Sequence, residues 1–155
     1  MIKIDIPGRD TLEIHYLLLD YNGTVAEDGI LIEGVRERIA LLRDKVEIHV
    51  LTADTHGTAA KECAGLGISV DTFPREGAAR FKADAAKKLG RGICAVGNGF
   101  NDIEMLSLSD LAIAVIEEEG TCAALIPHAH LLVKGINAAL DLLIKPARVV
   151  AGLRS

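Results

Sequence analysis

The sequence is poor in aromatic residues, has no tryptophan and contains no long apolar run. Aromatic residues make up 3% of the 155 residues although half are hydrophobic, so the core must consist of Leu, Ile, Val and Ala. Small aliphatic side chains are typical of helices packed on a parallel sheet. No segment approaches the ~18 apolar residues of a membrane-spanning helix, and the N-terminus alternates polar and apolar residues, unlike a signal peptide. We therefore expect a cytoplasmic protein without a membrane partner.

Cysteine and positive charge are also scarce. The three cysteines, Cys63, Cys94 and Cys122, are far apart and odd in number, which favours neither a disulfide framework nor a zinc site. The formal net charge is −5 and there is no basic run, which argues against a nucleic-acid partner. A small or phosphorylated ligand fits this composition better. The length predicts one domain over residues 1–155.

Segments typical of strands alternate with segments typical of helices along most of the chain. Strands are predicted at 16–20, 46–51, 68–70, 92–96, 111–115 and 130–133, and helices at 33–44, 58–66, 78–89, 103–108, 121–126 and 136–144. Two hairpins are predicted as well, an edge hairpin over 2–14 and a short one over 25–32 that turns at Asp28 and Gly29. Right-handed crossovers would build these elements into a three-layer, Rossmann-like α/β domain with a mainly parallel sheet.

The stretch 16–24 is the most informative of these segments. Its apolar strand ends in the carboxylate of Asp20, and Gly23 and Thr24 then break the pattern. Ligands of open α/β sheets bind at the carboxyl ends of the strands, so Asp20 is placed for chemistry. The alternative is an Asp that simply opens a β-turn.

Two further strand ends carry polar clusters, Thr52–Thr55 and Gly97–Asp102. If the strands are parallel, Asp20, Thr52 and Asp102 meet at one edge, with Lys82 on a neighbouring helix. This set suits phosphoryl transfer to a carboxylate: a nucleophile, a hydroxyl and an ammonium for the phosphate oxygens, and carboxylates for a hard cation.

Three segments in this order, Asp20–Thr24, the apolar strand before Thr52, and Gly97–Asp102, resemble the haloacid dehalogenase (HAD) superfamily of phosphohydrolases. The similarity covers nearly the whole chain. Within the superfamily the chain most resembles small soluble proteins akin to the phosphorylation domain of P-type ATPases. The resemblance implies an Mg²⁺-dependent phosphatase or ATPase-like activity through an aspartyl-phosphate.

The resemblance also implies roles for individual residues. Asp20 would be the nucleophile and a magnesium ligand, and Lys82 would hold the phosphate, with Arg75 and Arg80 as alternatives. The metal would be bound by Asp20, Asn22 through its backbone carbonyl, Asp102 directly or through water, and the Asn98 amide. The substrate phosphate would be bound by Thr52 together with Asn22, Gly23, Ala53 and Asn98.

Two positions depart from the commonest pattern of the superfamily. Asn22 replaces the usual second aspartate and cannot donate or accept a catalytic proton, a function worth about 10²- to 10⁴-fold. Turnover should be slow or restricted to leaving groups that need no proton. Asn98 replaces a metal-binding aspartate, which should lower metal affinity. Both departures favour an alternative, a phosphate- or nucleotide-binding regulatory protein with weakened catalysis.

No cap domain is expected, because only about 30 residues separate Asp20 from Thr52 and again Thr52 from Lys82. The site should be open, or covered by the 25–32 hairpin or a neighbouring subunit. The partner would be a phosphorylated small molecule, a nucleotide or a phosphoprotein. A mean hydropathy of +0.29 and the apolar segment 149–151 suggest a homo-oligomer. The acidic run 117–119 is predicted to be a solvated loop.

Overall fold

A six-stranded parallel sheet organises the fold in the computed structural model, which describes residues 1–155. The ten strands in chain order are β1 (Ile2–Ile4), β2 (Leu12–Ile14), β3 (Tyr16–Asp20), β4 (Ala26–Glu27), β5 (Ile30–Leu31), β6 (Glu47–Thr52), β7 (Ser69–Thr72), β8 (Ile93–Gly97), β9 (Leu111–Val115) and β10 (Leu131–Val133). The main sheet has the order β10-β9-β8-β3-β6-β7, and all its pairs are parallel. The prediction of a Rossmann-like α/β fold is confirmed.

Six α-helices connect or flank these strands. They are α1 (Val35–Leu42), α2 (Ala59–Glu62), α3 (Ala78–Leu89), α4 (Ile103–Ser107), α5 (Ile136–Ile144) and α6 (Ala147–Leu153), with 3₁₀ turns at Phe100–Asp102 and Ala123–His128. Helix α1 packs with α5, and α3 packs with α4. The larger hydrophobic cluster, 29 residues, includes α1, α5 and α6, whereas only 10 buried residues form the cluster under α3 and α4. The second face of the sheet is therefore the more thinly covered one.

The predicted helices differ from the observed ones at three places. The segment 121–126, predicted to be a helix, is replaced by a 3₁₀ turn at Ala123–His128. The helix expected at 58–66 is only four residues long, because Gly65 and Gly67 adopt positive φ angles of 75° and 68°. Helix α6 was not predicted, and it buries Val149 and Leu153 in the core. The interpretation of Val149 as an interface residue was therefore wrong.

Both predicted hairpins are present. Strands β1 and β2 form an antiparallel sheet of their own, and β4 and β5 are joined by a turn with positive φ at Asp28 and Gly29, as the Asp-Gly signal predicts. The second hairpin packs beside α2, where Thr58 and Tyr21 donate hydrogen bonds to the carbonyl of Gly29 and Glu62 accepts one from Leu31. None of residues 25–32 lines the candidate site, so this hairpin is not a lid.

None of these helices combines the length and the apolar character that crossing a membrane would require.

Candidate active site

The site lies at the carboxyl ends of the three central strands. Asp20 is the last residue of β3, Thr52 the last of β6, and Asn98 follows the last residue of β8. The chain passes from β3 to β6 and β7 on one side, then returns to β8 on the other, so a crevice opens between β3 and β8, where ligands of such sheets bind. The crevice is a cavity of about 250 Å³, lined by Asp20, Asn22, Thr52, Ala53, Thr55, Phe73, Ala78, Lys82, Asn98, Gly99, Asn101 and Glu119.

Lys82 is the cation of this site. Its Nζ donates hydrogen bonds to Oδ1 of Asp20 (2.5 Å), Oδ1 of Asp102 (2.7 Å) and Oδ1 of Asn101 (3.2 Å). The side chain is only 2% exposed, and it lies on the same buried face of α3 as small alanine residues. Arg75 and Arg80, the alternatives, are both exposed, and Arg80 pairs instead with Asp84.

Asp102 does not line the cavity, but it positions other residues of the site through hydrogen bonds. It is fully buried, and its Oδ2 accepts the backbone N–H groups of Asn98 (3.1 Å) and Gly99 (2.9 Å). A Cβ at Gly97 would lie 2.6 Å from the same carboxylate, which explains the glycine. With its other oxygen on Lys82, Asp102 positions both the loop after β8 and the cation.

Burial and neighbouring charges shift the pKa values of Asp20 and Lys82. Burial and the negative charge of Asp102 raise the pKa of Asp20 to about 6, even though Lys82 acts in the opposite direction. Burial lowers the pKa of Lys82, but the two carboxylates outweigh it and the net shift is upward. Lys82 therefore stays charged, and the cluster has one excess negative charge once Asp20 is ionised.

Donors for an anion face the cavity from the strand ends. The Thr52 hydroxyl oxygen accepts the N–H of Asp54 (2.8 Å), which leaves the hydroxyl proton free to donate. The backbone N–H groups of Asn22 and Ala53 donate to no other group. Asp54 adopts a positive φ of 45°, and its side chain accepts the N–H groups of Thr58 and Ala59 at the start of α2.

Asn98 has a structural reason to be an amide. Its Nδ2 donates to the carbonyl of Gly120 (3.1 Å), and its backbone carbonyl accepts the N–H of Cys122 (2.8 Å). Its Oδ1 is within 3.3 Å of the Thr24 hydroxyl, which is also 3.0 Å from Oδ2 of Asp20. An aspartate at 98 could not donate to Gly120, so the amide ties the loop 116–122 to the site.

The side chains present fit a hard cation such as Mg²⁺. All the donors are oxygens, the class that magnesium prefers. Oδ1 of Asn22 is buried without a hydrogen-bond partner, and the main-chain carbonyl of Asn22 accepts no hydrogen bond, so both oxygens are free for a cation or its water. No three acidic, histidine or cysteine side chains form a metal cluster, so the charge of a bound cation would be balanced by few carboxylates.

Several residues of the site were missed by sequence reasoning, among them Thr24, Asn101 and Glu119. Thr24 and Asn101 lie inside the two motifs, and their closeness in sequence to Asp20 and Asp102 was a usable signal. Glu119 had a weaker signal, because it lies on the loop that follows β9, the strand next to β8. It was predicted to be solvated, and its side chain is exposed but lines the cavity. In the same loop, Glu117 accepts the N–H of Ile136 at the start of α5 (2.6 Å).

Gly23 does not line the cavity, but it controls how closely the neighbouring loops approach. Its φ is +76°, and a Cβ there would lie 2.5 Å from Nδ2 of Asn98 and from Oε2 of Glu119. We expect Gly23→Ala to lower the free energy of unfolding by about 2–3 kcal/mol, from the left-handed conformation plus the displaced side chains. Urea denaturation measures the loss.

Gly65→Ala is the matched control for that substitution. Gly65 has nearly the same φ, +75°, but no atom lies within 4 Å of a Cβ there. It should lose only the backbone contribution, about 1–2 kcal/mol, and keep phosphate binding unchanged. Equal losses of stability in the two variants would contradict the packing argument.

Comparisons with known proteins support this description of the fold. No family model matches the chain. The uncharacterized protein MJ0073 of Methanocaldococcus jannaschii is 45% identical over 62 residues, which are 40% of this chain and 67% of that protein.

Solved structures with a similar fold include phosphatases and putative HAD hydrolases. A putative 3-deoxy-D-manno-octulosonate 8-phosphate phosphatase of Vibrio cholerae has a TM-score of 0.69, covers 100% of this chain and 99% of its own, and is 14% identical. The Moraxella catarrhalis enzyme of the same name, solved with magnesium, phosphate and 3-deoxy-D-manno-octulosonate (KDO), has a TM-score of 0.67 at 15% identity over 89% and 90% of the two chains. A putative HAD hydrolase of Streptomyces avermitilis has a TM-score of 0.63 at 20% identity over 84% and 83%.

Proposed function

Because the chain belongs to the same family as MJ0073 and has the fold of HAD hydrolases, we propose that it is a magnesium-dependent phosphohydrolase that works through an aspartyl-phosphate. The main observation in support is the buried trio of Asp20, Lys82 and Asp102 beneath a cavity with free donors. Titratable groups whose pKa values are shifted by burial and by charged partners beside a cavity are candidates for a functional site.

In the first step, an oxygen of the Asp20 carboxylate attacks the phosphorus of the substrate. A P–O bond to Asp20 forms, the P–O bond to the leaving group breaks, and its electron pair goes to the leaving oxygen. Lys82, the Thr52 hydroxyl and the N–H groups of Asn22 and Ala53 hold the phosphoryl oxygens. Their main contribution is to orient and neutralise the group that is transferred.

A bound Mg²⁺ would offset the repulsion between the Asp20 carboxylate and the phosphate. Asp20, the carbonyl of Asn22 and the Asn98 amide are the residues that would hold it, with Asp102 acting directly or through a water. Asp102 already accepts three hydrogen bonds, so we favour the water-mediated contact.

In the second step, water attacks the phosphorus of the aspartyl-phosphate, the P–O bond to Asp20 breaks, and phosphate leaves. Asn22 cannot transfer a proton as an aspartate at its position would, so its contribution to protonation of a leaving group and to activation of water is lost. We propose slow hydrolysis and a long-lived phosphoenzyme.

A second candidate function is a phosphate- or nucleotide-binding regulatory protein. The amide at 98 favours it, because this side chain serves to anchor the loop 116–122 to the site instead of adding a charge for the metal. Binding of phosphate without covalent transfer would be its signature.

One experiment separates the two functions. The protein is incubated with acetyl phosphate, p-nitrophenyl phosphate or ATP, with magnesium or with a chelator, and is quenched in acid and analysed by intact mass. We expect a magnesium-dependent gain of one phosphoryl group and slow release of phosphate. Phosphate binding by calorimetry without any covalent adduct or turnover would establish the regulatory function instead.

A further inference from the structure

A second cavity continues from the candidate active site along the thinly covered face of the sheet. It measures about 550 Å³ and lies at the β6–β7 end, beside α3. Phe73 lines both this groove and the site cavity, so the two are adjoining. A molecule whose phosphate lies at Asp20 could therefore extend past Phe73 into the groove.

The phenylalanines of the chain lie in or near the groove and the site cavity. There are three phenylalanines and no tryptophan among 155 residues. Phe73 lines the site cavity, Phe81 precedes Lys82, and Phe100 lies between two residues that line the cavity. None of the three is fully buried, and Phe81 and Phe100 are 47% and 73% exposed.

Phe73 and Phe81 form a stacked pair of rings in the groove. Their ring centroids are 5.4 Å apart and the ring planes differ by only 5°. Leu18 and Leu51 form the apolar floor beneath them. Full burial of a side chain of this size is worth about 1.5–3 kcal/mol. Because the stacked pair is partly exposed, a ligand ring that covers it would bury this apolar surface and gain a stacking contact.

We propose that the groove binds a flat aromatic ring in the leaving group of the substrate, so that the substrates are aryl phosphates or nucleotides. This inference rests on the proposed function of the adjoining site. Two independent features agree on it. The partly exposed stacked pair of Phe73 and Phe81 can extend its stacking onto a further ring. The lack of a proton donor at Asn22 suits phenolate or nucleoside diphosphate leaving groups, which depart without a proton. When ATP is the donor, the γ-phosphoryl group moves to Asp20 and ADP leaves with the electron pair of the broken P–O bond.

The charged residues of the groove further limit the kinds of ligand that would bind there. Glu47 and Asp71 flank His49 at 2.9 Å and 3.4 Å, and Lys88 is the one lysine or arginine among the lining residues. Two carboxylates disfavour an anionic group at this end, such as the sugar acid of the octulosonate phosphatases with a similar fold. They can accept hydrogen bonds from the amino groups of a nucleobase.

The test compares substrates that have good leaving groups with and without a ring. The catalytic efficiency, kcat/KM, is measured for p-nitrophenyl phosphate, ATP and acetyl phosphate in the wild type, Phe81→Ala and the control Phe100→Ala. We expect Phe81→Ala to lower the ratio of ring to ringless substrates about 5- to 10-fold, in line with the loss of one stacking contact. A loss for ATP alone identifies nucleotides, and a loss for both identifies aromatic rings generally. An unchanged ratio in Phe81→Ala, or an equal change in Phe100→Ala, overturns the proposal.

A binding measurement keeps the proposal testable if turnover is absent. Calorimetry on the wild type compares AMP with ribose 5-phosphate, which differ by the base. We expect AMP to bind at least about 5-fold more tightly, and Phe81→Ala to remove that difference. Equal affinities would refute the groove as a ring site. A missing phosphoenzyme with preserved base preference would refute only the hydrolase function.

Discussion

Asp20→Asn is expected to abolish formation of the phosphoenzyme and to stabilise the fold at neutral pH. Loss of the nucleophile should lower phosphoryl transfer by at least about 10³-fold. Stability should rise because the pKa of Asp20 is raised from 3.8 to about 6 by burial and by Asp102, so its ionised form is disfavoured in the folded state. Such a shift corresponds to about 3 kcal/mol at neutral pH, less any weakening of the hydrogen bonds to Lys82 and Thr24.

The dependence on pH identifies the cause of this stabilisation. A carboxyl group with a folded pKa above its unfolded value contributes stability that is complete below pH 3.8 and is lost as the pH rises through about 6. In metal-free buffer, the advantage of Asp20→Asn should therefore be small near pH 4 and complete near pH 7. Urea unfolding at both pH values measures it.

Two comparisons test this account. Asp84→Asn, at an exposed carboxylate of α3, should leave both activity and stability nearly unchanged. Magnesium should reduce the difference in the free energy of unfolding between the wild type and Asp20→Asn. The cation offsets the repulsion between buried carboxylates only where the Asp20 carboxylate is present. A wild type that is more stable than Asp20→Asn at pH 7 without metal would contradict the excess-charge argument.

Lys82→Met is expected to have the largest effect on stability. Methionine fills a similar volume, but it leaves the carboxylates of Asp20 and Asp102 buried without their shared cation. Removal of one member of a buried ion pair typically costs about 3–5 kcal/mol. Phosphoryl transfer should fall by at least about 10²-fold, because one donor to the phosphoryl oxygens is lost. Thermal unfolding and phosphoenzyme formation measure the two losses.

A second lysine of the same helix provides the matched control. Lys87 pairs with Glu104 at 2.8 Å, but both side chains are 53% exposed. Lys87→Met should hardly change the unfolding midpoint, because water screens the pair. The double variant Lys82→Met/Asp20→Asn should recover part of the lost stability, since a single buried carboxylate then remains. A loss as large in the double variant as in Lys82→Met would show that packing, not charge, sets the effect.

The fold that this chain shares with the octulosonate phosphatases does not determine its substrate. Two of these phosphatases are 14% and 15% identical in sequence to this chain, so the comparison establishes the fold alone. The substrate proposal rests on local features of this chain, namely the amides at 22 and 98 and the groove with its stacked phenylalanines. Experiments on substrate preference should therefore begin with aromatic phosphate esters and nucleotides.

The sequence by itself determined the parallel sheet and the strand ends that build the site. Apolar runs that stop at Asp20, Thr52 and Gly97 are local signals, and the geometry of parallel strands places their ends at one edge. The short hairpin was equally predictable, because an Asp-Gly turn depends only on the φ angles of two residues.

Only the tertiary structure decided the contacts between segments that are distant along the chain. The hydrogen bond from Asn98 to Gly120, the position of Glu119 at the cavity and the burial of Val149 under the sheet have no periodic pattern that would predict them. The groove at Phe73 and Phe81 likewise exists because α3 leaves the β6–β7 end of the sheet uncovered. Hydrophobic periodicity reports which face of one element is buried, whereas such features depend on how several elements pack in three dimensions.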